Sequence, residues 1–135
     1  MFECLLKKPK VIVTDKTVVL YRNTENSASR SGFSDKYFDI TYFADRKYTM
    51  IEEHCKELLY LAENIVVKAN MALLQNMLKT SDRKYRALER KAVDEVVKRK
   101  RFYKKALKEN TWWFWVISHR LYRPFKAIYR LIYKM

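Results

Sequence analysis

Gly32 is the only glycine in 135 residues, and Pro9 and Pro124 are the only prolines. Tight hairpin turns, bulges and other positive-φ positions draw on glycine, because a Cβ makes left-handed backbone costly. A chain this poor in turn residues favours long helices joined by few connections. Its length is that of one domain, residues 1–135, with enough chain for a single core.

The N-terminal part nevertheless carries strand-like runs. Lys10–Thr14 and Thr17–Arg22 are rich in branched and aromatic residues and are separated by Asp15 and Lys16, which predicts a β-hairpin. Residues 23–35 are short, polar and hold the glycine, the composition of an exposed loop. Tyr37–Phe43 alternates Phe38, Ile40 and Tyr42 against Tyr37, Asp39 and Thr41, and predicts a third strand.

From Thr49 the period lengthens. Thr49 and Glu52 match a capping box, and Ile51, Cys55, Leu58, Leu59, Ala62, Ile65, Val66, Ala69 and Leu73 follow at helical spacing, so one helix is expected to run to about Lys79. Glu52, Glu53, Lys56, Glu57, Glu63 and Asn64 read as its solvated face. Thr80, Ser81 and Asp82 form a break and a new N-cap. A second helix, striped by Tyr85, Leu88, Ala92, Val96 and Tyr103, is expected to end near Asn110. A third begins at Asn110 or Thr111, and Pro124 should kink or restart it. The expected fold is therefore α+β and helix-dominated: a small antiparallel hairpin or three-stranded sheet over 1–48, a long antiparallel helical pair over 49–110, and a kinked aromatic helix over 111–135.

The charge is as unevenly distributed as the turns. Residues 81–135 hold 17 Lys and Arg against 5 Asp and Glu, or +12 of the net +14, while the first 80 residues are near neutral. Such a split points to a polyanionic partner. Aromatic residues at 15% are too many for a disordered basic tail, so the charge should sit on a folded scaffold.

Two basic clusters carry the candidate site. Lys98, Arg99, Lys100, Arg101, Lys104, Lys105 and Lys108 put seven cations in eleven residues. At about 100° per residue, Lys98, Arg101, Lys105 and Lys108 share one side with Arg90 and Asp94, and the four cations form a ladder that can follow a phosphate backbone and release its counterions. The second cluster is 111–135, with Trp112, Trp113, Trp115, eight of the twenty aromatics, five Lys and Arg, and no carboxylate. Past Pro124, Lys126, Arg130 and Lys134 form one row opposite Phe125, Ile128, Tyr129 and Ile132, and Arg120 and Arg123 precede it. Packing on the protein's own core is the favoured reading of this amphipathic helix. A membrane interface, a partner's groove and base stacking by the tryptophans are the alternatives.

Chemistry at a reactive centre has little to stand on. His54 and Cys55 are neighbours on a helix and point about 100° apart, so they do not pair as base and nucleophile. Cys55 lies on the apolar stripe and reads as core. Cys4, His54, Cys55 and His119 lack the short spacings of a zinc site, and one glycine leaves no phosphate-binding loop. Asp35, Asp39 and Asp45 read as surface. No cofactor, metal or catalytic residue is expected. Two distant cysteines suit a reducing compartment, and the N-terminus lacks the apolar core of a secretory signal, so an intracellular location is expected.

The expectation is thus a non-enzymatic basic protein that binds nucleic acid, RNA or a ribonucleoprotein ahead of DNA. A structural or regulatory role in a large assembly, against an acidic protein surface or another copy of the chain, is the alternative, followed by peripheral membrane attachment.

Overall fold

The computed structural model describes residues 33, 35–80, 82–103 and 111–133. Every regular element among them is helical. We number the α-helices α1 (Phe38–His54), α2 (Leu59–Asn76), α3 (Arg86–Lys98), α4 (Lys100–Tyr103), α5 (Thr111–Ser118) and α6 (Tyr122–Ile132). Short 3-10 turns at Asp35–Tyr37, Lys56–Leu58, Met77–Lys79 and Arg83–Tyr85 lead into or out of them.

The α+β expectation is corrected here, because the described residues contain no strand. The hairpin predicted over Lys10–Arg22 lies outside the described residues. The predicted third strand at Tyr37–Phe43 is the start of α1. Its period-2 alternation does not persist: Tyr42 and Phe43 are both exposed, and a shielded stripe of Tyr37, Thr41, Ala44, Tyr48 and Ile51, spaced by three and four, runs along the helix with Phe38 and Ile40 beside it. Phe33, Phe38 and Tyr85 gather into a ring cluster at this end, and the Tyr85 hydroxyl donates to Asp35 at 2.7 Å.

The second correction concerns Thr49, which lies inside α1 and donates its hydroxyl to the Asp45 carbonyl at 3.2 Å instead of capping a helix. The chain reverses at Cys55, whose backbone leaves helical geometry (φ −145°, ψ 61°). Neither glycine nor proline marks this reversal. Its cause is tertiary: folding α1 back buries Ala44, flanked by Ile40 and Tyr48, against Ile65, Val66 and Ala69 of α2. A continuous helix would leave that stripe in water. Cys55 is half-buried at the turn rather than a core residue.

α2 therefore sits at the centre, packed on α1, α3, α4 and α5. Its second face supplies Val67, Met71 and Leu74, and the 3-10 turn after it Met77 and Leu78, to a core shared with Tyr85, Ala92, Val93 and Val96 of the next segment and with Trp113, Phe114, Val116 and Ile117 of α5. Being covered on most sides, α2 also buries polar groups that read as surface. Asn64 and Asn70 donate to the carbonyls four residues back, at 2.9 Å each. Glu63 forms an ion pair with Arg99 at 2.6 Å, and Arg99 is also bound by Glu95. Tyr48 donates to Glu63 at 3.4 Å, and burial together with the Glu63 charge raises its pKa above the ordinary tyrosine value.

Asp82 caps the α3 segment as expected, its carboxylate accepting from the Lys84 N–H at 2.9 Å. α3 ends at Lys98, earlier than its sequence stripe predicts, and a new short turn starts at Lys100. The C-terminal segment divides three residues before Pro124. The Arg120 N–H bonds to Ile117 and the Leu121 N–H to Val116, both at 2.9 Å, closing α5 in a Schellman motif. Pro124 falls in the first turn of α6, where a missing N–H leaves no intrahelical bond unmade.

This motif places Arg120, a residue with a Cβ, at φ 60°. Left-handed geometry costs such a residue roughly 1–2 kcal/mol, partly offset in a glycine variant by greater unfolded-chain entropy. Arg120→Gly should raise stability by about 0.5 kcal/mol, and Arg120→Ala should not, as thermal melts of the two variants will show.

Candidate nucleic-acid interface

α3 and α6 meet through one buried ion pair. Glu89 of α3 accepts from Lys126 of α6, and both side chains are almost wholly shielded. Beside it Tyr122 is fully buried and donates its hydroxyl to the Leu74 carbonyl at 3.0 Å. Burial, and then the Glu89 charge, drive the pKa of Tyr122 far above its ordinary value, so it serves as a neutral donor.

Two adjoining clefts follow this seam. One, of about 360 Å³, is lined by Thr80, Asp82, Arg86, Glu89, Arg123, Lys126, Ala127 and Arg130. The other, of about 260 Å³, shares Glu89 and Arg123 and adds Arg90, Val93, Asp94, Arg120 and Tyr122. Arg120 is held by Asp94 at 2.7 Å, both exposed. Arg86, Arg90 and Arg123 have no carboxylate within ion-pair distance among the described residues. The seam is thus a groove in which three guanidinium forks remain available. The acids nearest the helix contacts, Glu63, Glu89 and Glu95, are neutralised by internal partners.

The sequence-predicted site residues distribute unevenly around this groove. Arg123, Lys126 and Arg130 line it, and Arg120 sits at one end. Lys98, Lys100 and Arg101 are exposed on the continuation of α3, with Arg101 over the Phe102 ring at 4.7 Å. Arg99 is turned inward, its guanidinium 14% exposed and shared by two carboxylates, and does not belong to the surface ladder. Lys104, Lys105, Lys108 and Lys134 lie outside the described residues.

The tryptophans also divide. Trp113 is 4% exposed and donates its indole N–H to the Met71 carbonyl at 3.3 Å, so its role is structural. Trp112 and Trp115 are exposed, one against Phe125 and the other against His119, and each keeps a face for a ligand.

Sequence reasoning missed Arg86 and Arg90 as site residues. They form an i,i+4 row with Asp94 and Lys98, but only the fold brings that row opposite Arg123. Among the described residues no three His, Cys, Asp or Glu side chains gather to hold a metal. Comparison with protein families, curated proteins and solved structures finds no match, so the reading of this groove rests on its geometry and charge.

Proposed function

We propose that this chain binds nucleic acid through its phosphate backbone along the α3–α6 seam, with RNA or a ribonucleoprotein ahead of duplex DNA, as an intracellular binding protein. The observation that carries the reading is the alignment of Arg86, Arg90 and Arg123 along one groove without carboxylate partners among the described residues. Guanidinium forks match phosphate oxygens two at a time, and a concave site focuses their field. Lys98, Lys100 and Arg101 extend the basic track beyond the groove. Exposed Trp112 and Trp115 suit unpaired bases better than stacked ones, which is what favours single-stranded RNA.

The test is a salt titration of binding to a single-stranded RNA oligonucleotide. Wild type should lose affinity with a log–log slope of roughly −0.7 for each phosphate contacted. Arg86→Gln, Arg90→Gln and Arg123→Gln combined should flatten that slope by about two and weaken binding alike for all sequences, with an unchanged melt. Undiminished binding by the triple variant would rule out the seam.

A further inference from the structure

α6 has a flank that neither the core nor the seam uses. At about 100° per residue, Lys126 and Arg130 face the seam, Tyr122, Phe125 and Tyr129 pack inward, and Ile128, Leu131 and Ile132 share the remaining side. These three aliphatic side chains are 56%, 79% and 68% exposed. The flank is extended, through the Phe125 ring 5.8 Å away, by exposed Trp112. Leaving so much aliphatic surface in water on one short helix marks an interaction site.

From this we infer that the Ile128–Leu131–Ile132 flank of α6 docks on an anionic lipid bilayer, lying in its interface with Trp112 at headgroup depth. Three observations select this occupant. The aliphatic residues form an exposed ridge edged by Trp112, the pattern that partitions between headgroups and acyl chains. The chain's net charge of +14 attracts an anionic surface. A second copy of the chain would bring another +14 against the first. At 11 residues α6 lies on a bilayer, and among the described residues no helix is long and apolar enough to cross one. The Ile128–Leu131–Ile132 flank is opposite the seam on α6, so its contact is tested separately from the seam's.

The experiment is co-flotation with phosphatidylcholine–phosphatidylserine vesicles, with pure phosphatidylcholine vesicles as the control, together with tryptophan emission. Wild type should float with the anionic vesicles, persist at moderate salt, and shift its emission to the blue. Leu131→Gln should reduce binding severalfold. Ile128→Gln, Leu131→Gln and Ile132→Gln combined should reduce it at least tenfold, with an unchanged circular-dichroism melt and unchanged RNA affinity. Absence of flotation by wild type overturns the inference. So does flotation unaffected by the triple variant, which would assign the contact to charge alone. A wild-type dimer in sedimentation equilibrium that the triple variant dissociates would give the flank to a second copy instead.

Discussion

Arg99→Ala should destabilise the folded chain by about 3–5 kcal/mol, the effect of leaving buried charge without its partner. Arg99 holds Glu63 and Glu95 at once and lies over the Tyr48 ring at 5.7 Å. Its removal leaves the Glu63 and Glu95 carboxylates without the cation between them, so repulsion replaces the link between α2 and the end of α3. Arg99→Lys should recover only part of the loss, since an ammonium cannot serve both carboxylates in the plane of a fork. Arg101→Ala, two residues on and exposed, should stay within about 0.5 kcal/mol. Urea unfolding of the three variants measures the contrast, and similar stabilities for Arg99→Ala and Arg101→Ala would contradict the inward placement of Arg99.

Trp113→Ala should cost a further large amount, about 3–5 kcal/mol, through the cavity left in the shared core and the loss of the indole bond to the Met71 carbonyl. Its ring is held edge-on by Tyr122 at 6.0 Å and Phe125 at 5.5 Å, so the loss also loosens α6. Trp112→Ala and Trp115→Ala remove exposed rings and should each cost less than about 1 kcal/mol. Melting temperatures of the three single variants are the measurement. The emission spectrum adds a second readout, because the blue-shifted component should disappear with Trp113 alone.

What could be read from the sequence was local, and what could not was decided across helices. The cap at Asp82 was legible because carboxylate and N–H belong to one turn. The break before α6 was anticipated at Pro124, but it is made three residues earlier by backbone bonds of the preceding helix. The reversal at Cys55 carries no local mark, since packing of Ala44 against Val66 and Ala69 dictates it. Tyr37–Phe43 failed for the same reason: alternation over seven residues fits a strand, and the helical period emerges only when Ala44, Tyr48 and Ile51 are counted with it. The run Trp112–Ile117 is apolar all round and has no period with which to choose Trp113 over Trp112 and Trp115. In the candidate site, the α6 cations were legible as a row. Arg86 and Arg90 gained meaning from a facing helix, and Arg99 lost its surface role to Glu63 in another one.

The central position of α2 sets an order of local opening. Its amides lie beneath four other helices and exchange with solvent only when the whole fold opens. α6 is attached by Tyr122, Phe125, Tyr129 and the Lys126–Glu89 pair, and its outer flank is exposed. It is the element that detaches as a unit at the least cost, with the α2–α3 core left standing. Each such detachment dissolves the seam and withdraws the aliphatic ridge together, so the lifetime of α6 on its scaffold limits how long either surface can hold a ligand.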